Sequence, residues 1–432
     1  MKKRIIQSFL GLAVVVVFAA HVSDTFRLRL LDELESLAYD TRVRLSIESG
    51  QDRRIVIVDI DESSLRAIGQ WPWPRERLAR LIDNLFGTYG AAVFGVDMVF
   101  AERDSRGGRD RIEAAAARVT DEASRRLLLE IAGELDGDRA LAESMRGRPV
   151  VLGYYFNVDK DKSDSVGLLP EPVFENDGFM SETIFAVEAS GYNANLPVLQ
   201  QSAAAAGFFS DPLVDTDGVT RRVPLLHEYE GALYESLALA VARIYLDEIP
   251  VPVFGLAELA PGIPLLEALE LGDRVLRMDS RSAVMIPYRG KRGSFPYVPA
   301  AEIVEGRVEN PDVLDGAIAL LGSSALGLAD LRATPVDAVY PGVEAHANVV
   351  AGIIDQKLKS ASPYSWAIEL ASVAGIGLVL ALVLPFLSPV VSALLAASVL
   401  AAVLIVNFLL WRHQDLIIPV ATTMATSEAS TC

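Results

Sequence analysis

Residues 54–61 of the 432-residue chain read Arg-Ile-Val-Ile-Val-Asp-Ile-Asp, and this stretch decides the fold class. A continuous run of β-branched residues is typical of a strand buried on both faces, as in a parallel sheet. Pro74 then predicts the start of a helix, and apolar residues follow it at helical spacing up to Phe86. Residues 91–96 form a second apolar run. Strand, helix and strand in this order predict a right-handed βαβ unit.

The rest of the middle region predicts further elements of the same kind. We expect strands at 150–156 and 316–321, helices at 236–246 and 343–354, and an insertion of helices on one sheet edge at 103–148. Residues 206–226 predict two strands around the turn Asp215-Thr216-Asp217-Gly218. The expected fold class is α/β: an extracytoplasmic domain with a mostly parallel sheet flanked by helices, plus N- and C-terminal transmembrane helices.

Apolar segments enclose this middle region and predict a membrane protein. Residues 366–387 and 389–411 carry almost no charge, and each is long enough to cross a hydrocarbon core, which needs about 20 residues. A shorter apolar run, residues 5–22, follows Met-Lys-Lys-Arg. The predicted divisions are a transmembrane anchor at 1–22, a periplasmic domain at 23–363 with a stalk helix at 24–47, transmembrane helices at 364–387 and 389–411, and an incomplete further transmembrane segment at 416–432.

The charges at the N-terminus predict the orientation. Lys2, Lys3 and Arg4 should stay in the cytoplasm and send the first apolar segment outward, which places the middle domain in the periplasm of a bacterial inner-membrane, multi-pass protein. Two interpretations of the first segment stay open: an uncleaved anchor, and a signal peptide cleaved after Val17-Phe18-Ala19. The unfinished segment at 416–432 indicates either a natural short product or a fragment.

A stalk helix is predicted to continue directly from the first membrane segment. Its apolar residues recur at four- and three-residue spacing and form one stripe: Phe26, Leu30, Leu34 and Leu37. The same stripe suits the first core helix of the domain, and the two interpretations are compatible.

Composition limits the partners. With 57 acidic and 39 basic residues the formal net charge is -18, which argues against nucleic acid and against wide docking on anionic lipid. Cys432 is the single cysteine, so no disulfide forms within the middle domain. His227, His346, Glu344 and Asp330 lack the spacing of a metal site, and we expect neither metal nor cofactor. The expected partners are an unidentified small-molecule or envelope stimulus and, in a homodimer, a second copy of the chain.

Polar residues follow three of the predicted strands. Asp59 and Asp61 are two apart and should point to one face of the first strand, Asp97 ends the second strand, and Ser323 and Ser324 follow the third. Ligands of open α/β sheets lie beyond the carboxyl ends of the strands. One hypothesis is therefore a polar cleft that binds a cation, an amine or a hydroxylated small molecule. The alternative is that these residues cap helices and satisfy loop amides.

Residues 71–75 read Trp-Pro-Trp-Pro-Arg. Each proline holds the preceding tryptophan in an extended geometry. Trp71 and Trp73 therefore join the candidate ligand-binding residues as an aromatic wall, or form a dimer contact. The alternative is that both rings cover the edge of the core while the prolines stiffen the start of the helix.

Val-Asp-Ile-Asp at 58–61 also resembles the first motif of haloacid-dehalogenase-like phosphohydrolases. That resemblance implies a nucleophilic first aspartate and an acidic second one. Phosphoryl transfer further needs Mg²⁺, a lysine near the phosphate and a later acidic pair. Ser323 could serve as a second motif, but the chain offers no convincing acidic pair. We therefore assign no catalytic residue, and a periplasmic phosphohydrolase remains a minor alternative.

Six motifs in order carry a family resemblance: Tyr-Asp-Thr-Arg-Val-Arg at 39–44, Ile-Val-Asp-Ile-Asp-Glu-Ser-Ser-Leu at 57–65, Trp-Pro-Trp-Pro-Arg at 71–75, Gly-Val-Asp-Met-Val-Phe-Ala-Glu at 95–102, Leu-Gly-Ser-Ser-Ala at 321–325 and Pro-Gly-Val-Glu-Ala-His-Ala-Asn at 341–348. Together they span nearly the whole middle domain. The chain resembles the second class of CHASE domains, the extracellular sensors associated with bacterial cyclases and histidine kinases.

The resemblance implies a periplasmic signal-input domain of a transmembrane receptor. Such receptors couple it to a cytoplasmic adenylate or guanylate cyclase, a histidine kinase or a serine/threonine kinase, usually after three membrane helices. This chain departs from that pattern, because no catalytic domain follows residue 432 and the last membrane segment is incomplete. The alternative is a membrane-tethered interaction or scaffold protein without an effector.

Overall fold

The β-branched run forms a central strand of an eight-stranded sheet in the computed structural model of the chain. The structure describes residues 2–47, 50–159, 164–175, 186–210, 213–254, 266–279, 281–325, 327–328, 330–359, 365–414 and 417–429. In spatial order the sheet contains β15 (Tyr297–Pro299), β1 (Ile55–Asp59), β16 (Ile318–Gly322), β2 (Val93–Val96), β3 (Val150–Asn157), β6 (Gly191–Asn193) and β4 (Ser165–Val166), and β7 (Ala205–Phe208) also pairs with β3. The strands from β15 to β3 and β7 run parallel, whereas β6 is antiparallel to β3.

The hydrophobic core lies on both faces of this sheet. Successive residues of a strand point to opposite faces, so Ile55 and Ile57 of β1 join one buried cluster while Val56 and Val58 join the other. The first face is covered by α9 (Leu237–Leu246) and α11 (Gly342–Ile354). The second is covered by α3 (Glu62–Ile68), α4 (Arg75–Gly87), α7 (Gly137–Met145) and α10 (Ala300–Glu305). The predicted α/β class with a largely parallel sheet is confirmed.

The charged region 103–148 is only partly an edge insertion. It contains α5 (Arg109–Ala116) and α6 (Glu122–Glu134), which pack on each other, and then α7, which packs on α4. Leu141, Ala142 and Met145 of α7 are fully buried in the second cluster. The prediction of an edge insertion is therefore wrong for α7, because its three apolar residues share one face of the helix and pack into the core.

The two strands predicted around Asp215–Gly218 form, and so does the turn, but the strands pair with other partners and make no hairpin with each other. The Gly218 N–H donates to the Asp215 carbonyl at 2.9 Å. The preceding strand β7 pairs with β3, however, and β8 (Arg222–Pro224) pairs with β14 (Ala283–Met285). Every residue of β7 is buried, and only the main sheet offers this strand cover on both faces.

Short elements complete the domain. They are β5 (Val187–Glu188), β9 (Leu226–Tyr229) and β10 (Ala232–Glu235) in one sheet, β11 (Pro250–Phe254), β12 (Leu266–Leu271) and β13 (Arg274–Arg277) in another, the pair β17 (Leu331–Arg332) and β18 (Tyr340–Pro341), α8 (Pro197–Gln200), and single 3-10 turns at Pro311–Val313 and Leu384–Phe386.

Helices of membrane-spanning length flank the domain. They are α1 (Lys2–Val22), α12 (Ser365–Val383) and α13 (Pro389–Gln414). Within the described residues, three segments are long and apolar enough to cross a membrane: Arg4–Val22, Ser365–Phe386 and Pro389–Arg412. A shorter helix, α14 (Ala421–Ala429), packs against all three of these helices.

The stalk region forms a separate helix, α2 (Arg29–Leu45). The predicted continuous helix is wrong, because α1 ends at Val22 and the Leu28 N–H donates to His21 Nδ1 at 3.1 Å across the break. The predicted stripe is exposed along its whole length, at Phe26, Leu30, Leu34 and Leu37. The buried apolar residues of α2 are instead Leu31, Tyr39 and Val43, which lie on other faces of the helix.

Candidate functional site

Asp59 lies at the carboxyl end of β1, beside the end of β16. The two strands pair with Asp59 opposite Gly322, so the following residues Ser323 and Ser324 reach the aspartate. The two carboxylate oxygens of Asp59 accept hydrogen bonds from the Ser324 N–H at 2.8 Å and the Ser324 hydroxyl at 2.6 Å. Burial raises the pKa of Asp59, and the bonds from Ser324 act against that shift. Asp59 therefore connects two strands of the sheet, and its oxygens are occupied.

Asp61 caps a helix instead of pointing along the strand. The strand β1 ends at Asp59, so the expectation that both aspartates share a strand face is wrong. Asp61 is the N-cap of α3, and its carboxylate accepts from the Ser64 N–H at 2.8 Å and the Ser63 hydroxyl at 2.7 Å. Burial disfavours the ionised carboxylate, but these hydrogen bonds outweigh it and lower the pKa of Asp61. The local alternative of a helix cap describes this residue.

Trp71 and Trp73 have different roles: one covers the core, and the other reaches a cavity. Trp73 is buried in the core, and its indole N–H donates to the Gly69 carbonyl at 2.8 Å. Trp71 packs edge-on against it with ring centroids 5.6 Å apart and remains partly exposed. Trp73 thus holds the loop on the core, and Trp71 is the ring that reaches a cavity.

Asp97 ends β2 in a polar pocket. Its carboxylate lies 3.8 Å from Nε2 of His346 on α11. Burial raises the pKa of Asp97, and a charged His346 would oppose this. Asp330 lies in the same pocket and forms a 2.7 Å ion pair with Arg332. Asp330 and His346 were not among the predicted site residues, since neither follows a predicted strand of the sheet.

These residues surround a cavity of about 160 Å³ above the carboxyl edge of the sheet. Of the predicted site residues, Trp71, Asp97 and Ser323 line it, whereas Asp59, Asp61, Trp73 and Ser324 do not. The cavity forms because the chain leaves β1 towards α3 on one face and leaves β16 towards α11 on the other. A crevice between neighbouring parallel strands is the usual ligand position in open α/β sheets. The structure thus brings together the strand-end residues, while ligand binding by them stays a prediction.

The arrangement gives little support to phosphoryl transfer by Asp59. A nucleophilic carboxylate needs an open path to phosphorus, but Asp59 is 5% exposed and bonded to Ser324 through both oxygens. Among the residues that the structure describes, no group of three or more His, Cys, Asp or Glu residues is arranged to hold a metal ion.

The fold and the motifs at its carboxyl edge define an α/β domain next to membrane-spanning helices. The sequence profile of the CHASE2 domain matches residues 10–386, which is most of the chain, and the chain belongs to this family. CHASE2 domains are sensory, non-catalytic extracellular domains of signalling receptors. No curated protein and no solved structure shows a significant similarity to the chain.

Proposed function

We propose that the chain is the signal-input region of a bacterial transmembrane receptor, with its α/β domain in the periplasm and its output passed to a cytoplasmic cyclase or protein kinase. Membership of a sensory extracellular family supports the input role. The observation that carries the proposal is the position of α2, which is bonded to the domain on one side and to the membrane helices on the other.

On the domain side, α2 is held by buried charge. Asp40 accepts from Arg221 at 2.8 and 3.1 Å, and Arg221 is 3% exposed. The same guanidinium binds Asp215 and Asp217 in the turn before β8. Arg44 donates to the Pro335 carbonyl at 2.6 Å. Charge-assisted hydrogen bonds of this kind are short and orientation-specific, so α2 follows the position of the domain.

On the membrane side, α2 contacts the outer ends of the C-terminal helices. Arg42 donates to Asn407 of α13 at 2.7 Å and to Glu35 at 2.7 Å. Glu35 in turn accepts from the N–H groups of Val420 and Ala421 at 2.6 and 2.9 Å, where α14 begins. A carboxylate at this position satisfies free N–H groups of the helix and favours its dipole. A shift of α2 therefore displaces the start of α14 and the end of α13.

This connection gives the stimulus a route to the membrane. A ligand changes the output only if it binds two arrangements of the domain with different affinity. Two arrangements of α2, each with its own set of bonds to Asn407 and α14, would supply the switching element. The receptor's partner on the inner side then responds to the packing of the membrane helices.

A second copy of the chain is part of the proposal. The residues of the stripe, Phe26, Leu30, Leu34 and Leu37, are between 43% and 67% exposed. Leu30, Leu34 and Leu37 follow the four- and three-residue spacing of a coiled-coil seam. Pairing of two α2 helices through this stripe would bury it and would bring two sets of membrane helices together.

Cysteine labelling tests the orientation on which the proposal depends. In a Cys432→Ser background, Glu130→Cys places a thiol on the exposed face of α6, and Ser388→Cys places one in the turn between α12 and α13. A membrane-impermeant maleimide should label Glu130→Cys in intact cells and Ser388→Cys only after permeabilisation. Labelling in the opposite pattern would refute the periplasmic placement.

A further inference from the structure

A second, larger cavity lies beside the first at the carboxyl edge of the sheet. Its volume is about 1100 Å³, and it shares Asp97 and Asp330 with the small cavity. Tyr155 at the end of β3 and Phe209 after β7 contribute aromatic walls, with ring centroids 6.1 Å apart. The volume is slightly above the usual range of small-molecule sites, about 300–1,000 Å³.

One wall of this cavity contains a buried histidine with an unused acceptor. His227 is 2% exposed, and its Nδ1 lies 3.0 Å from the Val187 carbonyl oxygen. A carbonyl oxygen only accepts, so the ring proton is on Nδ1 and Nε2 carries a lone pair. Burial lowers the pKa of His227 to about 4, which keeps the ring neutral near pH 7. Within the described part of the chain, Nε2 has no hydrogen-bond partner.

The same cavity is lined by an arginine with an unused donor. Nε of Arg222 is buried and lacks a hydrogen-bond partner among the described residues. Its terminal nitrogens approach Asp215 and Asp279 only at 3.5 and 3.6 Å. An arginine Nε–H and the adjacent terminal N–H together match the two oxygens of a carboxylate.

The charges around the cavity are mixed. Its aspartates are Asp97, Asp159, Asp215, Asp279 and Asp330. Its arginines are Arg27, Arg222, Arg281 and Arg332. A purely anionic ligand would meet the carboxylates, and a purely cationic one would leave the buried donor of Arg222 unmatched. A ligand that carries both charges satisfies both groups.

We propose that this cavity binds a zwitterionic amino carboxylate, either a free amino acid or a peptide of a few residues. Its carboxylate binds Arg222, and its ammonium group donates to His227 Nε2 and lies among the aspartates. Tyr155 and Phe209 contact its hydrocarbon part. This inference rests on the proposed sensory function and names the stimulus for it.

The ligand would act directly on the bonds that hold α2. Asp215 lines the cavity beside Arg222 and also binds Arg221 at 2.9 Å. Arg221 binds Asp40 of α2 through two hydrogen bonds. A ligand carboxylate that draws Arg222 away from Asp215 therefore changes the electrostatic interaction between Arg221 and Asp40 of α2.

The test measures binding to the full chain in lipid nanodiscs by calorimetry and by the shift in melting temperature. The probes are the twenty common amino acids and a set of di- and tripeptides, each compared with two analogues. One analogue is the matching hydroxy acid, which lacks the ammonium group, and the other is the matching amine, which lacks the carboxylate. We expect at least one amino carboxylate to bind, and either analogue to bind about tenfold more weakly or worse. A comparison of the affinities for amino acids and for peptides shows which of these two classes the cavity prefers.

Three variants locate the site. Arg222→Gln removes the carboxylate donor, and His227→Asn retains a donor for Val187 while it removes the Nε2 acceptor. Each should weaken binding at least about tenfold. Arg277→Gln, at an exposed arginine of β13 that is not part of the cavity lining, is the matched charge control and should change affinity less than threefold.

Several outcomes overturn the assignment: no probe binds, hydroxy acids or amines bind as well as amino carboxylates, or Arg222→Gln does not weaken binding. Arg222→Gln is the deciding variant, since the Arg222 side chain is 34% exposed and its replacement disturbs the core less than replacement of His227, which is 2% exposed. These outcomes are separate from cysteine labelling, so a failed ligand assignment leaves the periplasmic receptor proposal to its own test.

Discussion

Removal of the Arg221 side chain tests the buried connection between the domain and α2. Arg221 is 3% exposed, and the side chain of Asp40 is 11% exposed. Arg221→Met leaves the buried carboxylate of Asp40 with only the exposed Arg44 nearby, at 4.0 Å, and removal of one partner of a buried pair costs about 3–5 kcal/mol. Asp215 and Asp217 add little to this cost, because they are more exposed and regain water.

The expected effect is a fall in melting temperature of roughly 4–7 °C for a domain of about 340 residues. The measurement is thermal unfolding of the full chain in nanodiscs. The control is Arg29→Met, whose pair with Glu33 lies on the exposed surface of α2 and should change the melting temperature little.

A double variant separates the ion pair from packing. With Arg221→Met and Asp40→Leu together, no buried charge is left unpaired at this position, and well-packed apolar replacements of buried pairs are often neutral. The double variant should therefore lose less stability than the sum of the single variants, by about 1 kcal/mol or more. Additive losses, or an Arg221→Met effect no larger than that of the Arg29 control, would refute the buried coupling.

Further expectations concern the stripe, the buried histidine and strand packing. With Cys432 replaced by serine, Leu34→Cys should form a disulfide-linked dimer in membranes. Glu33→Cys, on another face of α2, should not form one. The reverse result would contradict pairing through the stripe. Because burial lowers the pKa of His227 from 6.5 to about 4, its contribution to stability is complete above pH 6.5 and is lost as the pH falls through 4. Between pH 6.5 and 4, the free energy of unfolding should therefore change less in His227→Asn than in the unmodified chain, by up to about 3 kcal/mol. Equal pH dependence of the two proteins would contradict this. Gly207→Ala should destabilise by about 1–3 kcal/mol, since a Cβ there would lie 2.5 Å from the backbone of α9. Gly133→Ala meets open space in α6 and should stabilise by up to about 1 kcal/mol, so equal effects of the two would exclude the close approach.

Much of the sheet could be predicted from local pattern. The strands β1, β2, β3 and β16 are short runs of apolar residues, and α4 carries one apolar stripe, so burial and periodicity agree at these elements. The strand β11 was not predicted, because Pro250–Phe254 contains two prolines, which weaken any strand signal. The residues between β11 and β12 lie outside the described part of the chain.

The site was only partly predictable for a related reason. Asp59 and Ser324 meet because parallel strands end at the same edge of a sheet, so their proximity follows from the predicted strands alone. Asp61 follows a different rule, since a helix begins directly after the strand and takes the carboxylate as its cap. Arg222 and His227 lie on the consecutive strands β8 and β9, but their meeting with Asp97 and Tyr155 of the main sheet at one cavity is a long-range placement, which leaves no local pattern.

The break between α1 and α2 has a mechanical consequence. A continuous helix would carry a rotation of α2 straight into α1, but the helix is interrupted at Ser23–Leu28, and across the break the Leu28 N–H donates to His21. Arg42 and Glu35 of α2 are bonded instead to α13 and to the start of α14. Since α1 packs along α12 and also contacts α14, a displacement of α2 in the proposed receptor would reach α1 chiefly through its neighbours in the bundle.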